Sequence, residues 1–165
     1  MTRAALAFLA AACLALISTG LLAAQPTMKP FGSASWQTLR AAHKGKPLIV
    51  HFWSIACGPC IEELPKWAAF LKAHPKAPVI FVDWDRPGGE KDRITAELQQ
   101  VGLATADNWT LDADFEAKLR FHIDRGWMGE LPRTETIARN GTVTGFSGAA
   151  DFNKLADWLK AQSQD

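Results

Sequence analysis

The sequence predicts an α/β domain in which one mixed sheet has helices on both faces. Three observations support this fold class: two continuous apolar runs, apolar residues at helical spacing around them, and a hairpin signal near the C-terminus. The apolar runs are "PLIVHFW" (47–53) and "APVIFVDWD" (77–85), and such runs are typical of strands buried on both faces. Strands separated by helices pair in parallel and a hairpin adds antiparallel strands, so the sheet is expected to be mixed.

Five helices are predicted from apolar residues that recur every three or four positions. Their inward-facing residues, in chain order, are Trp36, Leu39 and Ala42; Ile61, Leu64, Ala68 and Leu71; Ile94, Leu98 and Val101; Phe115, Leu119 and Ile123; and Phe152, Leu155 and Leu159. Gly45 is expected to stop the first helix, Gly102 to close the third and Asp151 to cap the last.

Three shorter strands complete the expected sheet. "DNWTL" (107–111) reads as a short strand between two helices. The alternating runs "RTETIAR" (133–139) and "TVTGFSG" (142–148) are joined by Asn140-Gly141, a strong signal for a hairpin turn.

The overall charge excludes one class of function. The chain of 165 residues has 18 Lys and Arg against 17 Asp and Glu. This near-neutral balance gives no electrostatic reason to expect nucleic acid or an anionic membrane surface as a partner.

The N-terminal region has the composition of an export segment. Arg3 is followed by an uninterrupted apolar run over 4–24, which is the pattern of a signal peptide and is also long enough for a membrane anchor. Cleavage and retention both remain open, and either one places the remainder outside the cytoplasm, in the periplasm or an equivalent compartment. Residues 25–32 are then expected to form a tether and residues 33–165 the folded domain.

The cysteines indicate redox chemistry. Apart from Cys13, the chain has only Cys57 and Cys60, separated by Gly-Pro at the start of the second predicted helix. The partial positive charge at a helix N-terminus stabilises a thiolate, and cysteines in this position titrate at roughly 3.5–7.5 instead of ~8.5. Cys57 is therefore predicted to attack a disulfide and Cys60 to resolve the mixed disulfide.

Two other readings of the cysteine pair are less favourable. Half of a zinc site would need further ligands, and the sequence has no second cysteine pair and no histidines at ligand spacing. An inert structural disulfide that closes so short a loop would constrain the unfolded chain little.

Together these features resemble a known family. "GKPLIVHFWSIACGPCIEELP" (45–65) and "GELPRTETIARNGTV" (129–143) are similar to the exported disulfide reductases of the TlpA, ResA and CcmG type in the thioredoxin superfamily. The resemblance covers roughly residues 33–162 and implies a thioredoxin-like fold, with no cofactor beyond the redox-active disulfide. It also implies client proteins with disulfides and an upstream membrane thiol reductase as partners.

The resemblance assigns further site residues. It implies that Pro132 forms a cis peptide bond, so that the backbone of Leu131 pairs with an extended substrate. Trp53, Gly58 and Pro59 are expected to contact the substrate as well.

Two more residues are expected to handle protons. Glu63 matches the buried acid of the exported reductases, and its i+3 spacing places it on the same helix face as Cys60. His51 occupies the position of a buried aspartate in thioredoxins. It is either a second proton acceptor or a structural core histidine.

The predicted activity is the reduction of client disulfides, in cytochrome c maturation or in copper-site assembly. The family's haem-ligation branch has an acidic residue after the cis-proline, where this chain has Arg133, and Ala56 replaces a tryptophan usual in thioredoxins. A copper carrier that uses the same cysteines is the alternative, and a thiol peroxidase is a further one. Asp83, Trp84 and Asp85 end a strand at the active-site edge, where they could shape a groove, but they are interpreted here as surface residues.

Overall fold

The computed structural model describes residues 25–113 and 116–163. Its strands are β1 (Met28–Phe31), β2 (Leu48–Trp53), β3 (Val79–Asp83), β4 (Asp107–Leu111), β5 (Arg133–Ile137) and β6 (Val143–Ser147). Its helices are α1 (Ser35–Ala42), α2 (Gly58–Ala73), α3 (Lys91–Gln100), α4 (Glu116–Ile123) and α5 (Phe152–Gln162).

The strands form one mixed sheet, as the sequence predicts. Its order is β1-β4-β3-β2-β5-β6. The first four strands in this order pair in parallel, whereas β5 pairs antiparallel with both β2 and β6. Strand β2 is therefore central, and each of its residues is buried.

Helices cover both faces of the sheet, which confirms the predicted fold class. On one face, residues of α1 and α4 pack against Leu48, Val50 and Phe52 of β2. On the other face, residues of α2, α3 and α5 pack against Ile49 and Trp53 of the same strand. The alternation of side chains along a strand produces this division.

The structure corrects the predicted tether. Residues 28–31 lie within the segment 25–32 and form β1, an edge strand parallel to β4. Phe31 anchors this strand because its ring is fully buried and makes edge contacts with Phe52, Trp84 and Trp109. The segment therefore contributes to the folded domain.

The buried face of α2 also differs from the prediction. The buried residues are Cys60, Glu63, Leu64, Trp67 and Phe70, whereas Ile61, Ala68 and Leu71 are only partly buried at the margin of the same core. The two aromatic residues explain the rotation, because burying Trp67 and Phe70 removes more apolar surface from water than burying Ile61 and Ala68.

Two predictions fall outside the described residues: the inward position of Phe115 and the export or anchor segment 4–24. Within the described ranges, no helix is long and apolar enough to cross a membrane. The inward positions of Ile94, Leu98, Leu119, Ile123 and Leu155 are confirmed, as is the cap at Asp151, whose carboxylate accepts a hydrogen bond from Lys154 N at 3.1 Å.

Candidate active site

The two cysteines lie where β2 passes into α2. Cys57 is the N-cap of α2, and its sulfur accepts a hydrogen bond from the backbone N–H of Cys60 at 3.2 Å. A disulfide joins Cys57 to Cys60. Cys57 is half-buried, whereas Cys60 is fully buried, so an approaching partner reaches Cys57 first.

Gly58 and Pro59 form the exposed first turn of α2. Both residues are exposed to solvent, and a proline in the first turn leaves no backbone N–H unpaired at its position. These two residues therefore place no charged side chain directly after Cys57.

The turn before Cys57 is held by a carboxylate from the end of β3. Asp85 accepts hydrogen bonds from Ser54 Oγ and from Ile55 N, each at 2.7 Å. Ser54 in turn accepts bonds from the backbone: its Oγ from Ala56 N at 3.0 Å and its carbonyl from Cys57 N at 3.1 Å. We call residues 54–57 the active-site turn.

The interpretation of Asp83, Trp84 and Asp85 as surface residues is wrong. Asp83 and Trp84 are buried and Asp85 is half-buried. Asp83 accepts hydrogen bonds from Asp85 N at 3.0 Å and from Thr110 Oγ1 at 2.8 Å. Burial raises the pKa of Asp83 to about 7, as does its side-chain contact with Asp85, while the Asp85 N–H and Thr110 oppose the rise.

Glu63 and His51 form a buried pair beneath the cysteines. Glu63 Oε2 lies 3.6 Å from His51 Nε2, and neither side chain is more than 2% exposed. The other carboxylate oxygen accepts a hydrogen bond from Ala150 N, and His51 Nδ1 lies 3.0 Å from Thr134 Oγ1. The predicted burial of both residues is confirmed.

Burial pushes both members of this pair toward their neutral forms. Desolvation raises the pKa of Glu63, opposed by the hydrogen bond from Ala150. Desolvation lowers the pKa of His51 to about 3. A neutral imidazole has one donor nitrogen and one acceptor nitrogen, and the Thr134 hydroxyl fits either tautomer because it both donates and accepts.

The loop before β5 has the geometry that the resemblance implies. The Leu131–Pro132 peptide bond is cis, and Pro132 is buried with its carbonyl accepting a hydrogen bond from Gly148 N at 2.8 Å. Leu131 is half-buried and contacts both core clusters. Within residues 25–113 and 116–163, its backbone N–H and C=O pair with no other backbone group.

The structure contradicts the prediction that Trp53 contacts a substrate. Trp53 is fully buried in the core cluster that also contains Cys60 and Leu64. It shares the parity of Ile49 and His51 along β2, so strand alternation directs it toward α2 and away from solvent.

A buried arginine next to the cis-proline was not identified from the sequence. The Arg133 guanidinium donates to Glu135 at 2.8 Å, to Ser147 Oγ at 3.2 Å and to Asp124. We call Arg133, Asp124 and Glu135 the arginine cluster. It fixes the loop from Asp124 to Pro132 against the β5–β6 hairpin. Gly145 faces it across the hairpin, where any added Cβ would collide with both Arg133 and Glu135.

No group of three or more metal-ligating side chains is found among the residues that the structure describes. The disulfide pair is a redox-capable feature that the fold presents after the end of β2. Two steps of thiol–disulfide exchange suit this pair. In the first the Cys57 thiolate attacks a disulfide, and in the second Cys60 attacks Cys57 to close the Cys57–Cys60 bond.

Comparison with known proteins gives the same picture. No protein-family model matches the sequence. The sporulation thiol-disulfide oxidoreductase A of Bacillus subtilis (strain 168) is 36% identical over 81 residues, which is 49% of this chain and 49% of that protein. The alignment therefore spans about half the length of this curated relative.

Solved structures resemble the chain more extensively. The thiol:disulfide interchange protein of Chlorobium tepidum TLS superposes with a TM-score of 0.59 at 19% identity, covering 74% of this chain and 83% of that chain. StoA of Bacillus subtilis gives 0.54 at 23% identity, covering 70% and 83%. A secreted disulfide oxidoreductase of Mycobacterium tuberculosis gives 0.54 at 19% identity, covering 73% and 85%.

The sheet order, the cis-proline and the Cys-Gly-Pro-Cys helix start agree with these comparisons, and the chain has a thioredoxin-like fold.

Proposed function

We propose that the protein is an exported thiol–disulfide oxidoreductase that reduces disulfides in client proteins. The observation that carries this proposal is the placement of a half-buried Cys57 at the N-terminus of α2, joined to a fully buried Cys60. This arrangement separates an attacking sulfur from a resolving sulfur.

The reaction begins with the reduced pair. The Cys57 thiolate attacks one sulfur of a client disulfide, which forms a mixed disulfide and releases the other client sulfur as a thiolate. The Cys60 thiolate then attacks the Cys57 sulfur, so that the Cys57–Cys60 disulfide forms and the second client thiolate leaves. Two electrons pass from the pair to the client, and an upstream membrane thiol reductase restores the dithiol.

Glu63 would serve as the proton acceptor for Cys60. Cys60 must lose a proton while fully buried, and Glu63 lies one turn along the same helix face. Because burial raises the pKa of Glu63, its carboxylate is a stronger base than an exposed glutamate. His51, whose pKa burial lowers to about 3, would act as a neutral polar neighbour of Glu63 at 3.6 Å and not as the proton acceptor.

The client would bind across the active-site turn and the cis-proline loop. The unpaired backbone of Leu131 would add an extended client segment as a further strand. Exposed Gly58 and Pro59 would contact the same segment.

The reducing direction follows from the residues between the cysteines. Gly58 and Pro59 provide no cation that would further stabilise the Cys57 thiolate, and strongly stabilised thiolates belong to oxidants. Reduction of apocytochrome c or of a copper-site protein fits this chemistry. Arg133 in place of an acid after the cis-proline counts against specialisation in haem ligation. Relatives described as secreted support an extracytoplasmic location.

Trapping the mixed disulfide tests this function. Cys60→Ser, expressed in the full chain, should accumulate mixed disulfides with client proteins on gels run without reductant, because the resolving step is blocked. The control is Cys57→Ser/Cys60→Ser, which should trap none. Equal patterns from the single and double variants would overturn the proposal.

A further inference from the structure

The active-site turn is held from outside its own chain segment. Asp85 follows β3, some thirty residues later in the sequence, yet its carboxylate binds both Ser54 and Ile55 at 2.7 Å. The strand ends are also joined by a backbone bond from Trp84 N to Trp53 O at 2.7 Å. The position of the turn therefore depends on contacts that α2 does not provide.

We propose that Asp85 is a positioning residue, which holds the active-site turn so that the Cys57 sulfur lies at the N-terminus of α2 and keeps its thiolate character. The inference rests on the proposed role of Cys57 as the attacking cysteine. It concerns the reduced enzyme, in which the Cys57–Cys60 bond no longer fixes the sulfur.

A chain of hydrogen bonds connects the carboxylate to Cys57. Asp85 orients the Ser54 hydroxyl, which leaves that oxygen free to accept from Ala56 N at 3.0 Å. The Ser54 carbonyl accepts from Cys57 N at 3.1 Å. Cys57 thus begins α2 in the extended conformation of an N-cap, in which its sulfur meets the backbone N–H of Cys60.

Asp85 is itself held by a hydrogen bond to Asp83. Its own backbone N–H donates to Asp83 Oδ1 at 3.0 Å, and Asp83 is buried at the end of β3 with a second bond from Thr110. A half-buried carboxylate with two good donors is well satisfied. The hydrogen bonds therefore connect Cys57 to the C-terminal end of β3.

Two effects of Asp85 on Cys57 oppose each other. A nearby negative charge disfavours a thiolate, whereas the N-cap geometry favours it. Asp85→Asn and Asp85→Ala both remove the charge, but only asparagine retains the bonds. Its Oδ1 would accept from Ile55 N, and its amide would donate to Ser54 Oγ. The difference between the two variants isolates the positioning effect.

The experiment measures the pKa of Cys57 in the reduced full-length chain, from the pH dependence of alkylation by iodoacetamide. We expect Asp85→Ala to have a Cys57 pKa about one unit above that of Asp85→Asn, which is tenfold in the thiolate equilibrium. Ser54→Ala keeps the Asp85 carboxylate but loses the hydrogen bonds of the Ser54 hydroxyl. The Cys57 pKa in this variant should rise above the Cys57 pKa of the parent protein. This variant also serves if Asp85→Ala does not fold.

Asn108→Ala is the matched control for general loosening. Asn108 is buried on β4 and donates to Leu103 O at 2.9 Å and to Ala106 O at 3.2 Å, away from the turn. Its loss should lower the melting temperature without moving the Cys57 pKa. Equal pKa values in Asp85→Ala and Asp85→Asn, or an equal shift in Asn108→Ala, would overturn the inference. An ordinary thiol pKa in the parent protein would instead overturn the proposed function.

Discussion

The two faces of β5 have different partners for their buried acidic side chains. Arg133 and Glu135 point toward the α4 side, where Arg133 pairs with Glu135 and with Asp124. Thr134, between them, points toward the α2 side and meets His51, which adjoins Glu63. Among the residues that the structure describes, Arg133 forms ion pairs on the first face, whereas on the second Glu63 adjoins a histidine whose pKa is lowered to about 3.

This difference sets an ion-paired network apart from a pair that burial pushes toward neutral forms. On the α4 side the guanidinium always remains charged and opposes the effect of burial, which raises the pKa of Glu135 to about 7. On the α2 side burial raises the pKa of Glu63 and lowers that of His51, and Glu63 accepts a hydrogen bond from Ala150 N. The α2 face also contains Cys60, so Glu63, on the same helix, is the buried carboxyl group that we propose to exchange a proton with that thiol.

The largest expected effect comes from breaking the arginine cluster. Arg133→Met should lower the free energy of unfolding by about 3–5 kcal/mol, because it leaves Glu135 buried without its cation. Chemical denaturation measures this loss. The double variant Arg133→Met/Glu135→Leu should recover much of it, and a double variant as unstable as the single one would contradict the ion-pair account.

On the opposite face, Glu63→Gln should act on rate more than on stability. Removing the proton acceptor should slow the resolving step roughly 10²-fold, the usual scale for general-base catalysis. Stopped-flow decay of a preformed mixed disulfide at several pH values reports this step. Glu62→Gln is the control, since Glu62 is exposed on the same helix. An unchanged pH–rate profile would reduce Glu63 to a structural acid.

Two substitutions of His51 distinguish an effect of its ring nitrogens from an effect of its packing. Its ring lies between Trp67 and Phe81, with centroids at 4.7 and 6.0 Å. His51→Phe keeps an aromatic ring but no proton acceptor, whereas His51→Ala loses both. We expect each variant to shift the reduction potential by about 30 mV, the equivalent of ~1.4 kcal/mol. A shift confined to His51→Ala would assign the residue to packing alone.

A further prediction concerns Asp83 and the pH dependence of stability. Its pKa is about 7 in the folded protein against 3.8 in the unfolded chain, so between these values the folded state holds the extra proton. Stability should therefore fall as pH rises from 4 to 7, by at most ~1.4 kcal/mol per pH unit for this group. Asp83→Asn should flatten that slope in melting curves recorded across the range. A slope unchanged by the substitution would remove Asp83 as its source.

Local patterns predict much of the fold. The apolar run of β2, the helix start at Cys57 and the Asn140-Gly141 hairpin each depend on neighbouring residues, and each is confirmed. The parity of β2 would also have shown that Trp53 faces α2 with His51.

Several of the interactions that were missed connect distant segments. Asp85 reaches Ser54 across thirty-one positions, and Glu63 reaches Ala150 across eighty-seven. Strand β1 forms only because β4 offers it an edge. Composition and spacing do not encode such contacts, since they exist only once the sheet order is known.

The acidity of Cys57 in the reduced protein tests the account most directly. Following thiolate ultraviolet absorbance against pH, with Cys60→Ser to leave one thiol in the site and Cys57→Ser/Cys60→Ser as the blank, reports that pKa. The account predicts a value well below the ~8.5 of a free cysteine. A titration at or above ~8.5 would contradict it, because the N-terminus of α2 would then not activate the sulfur.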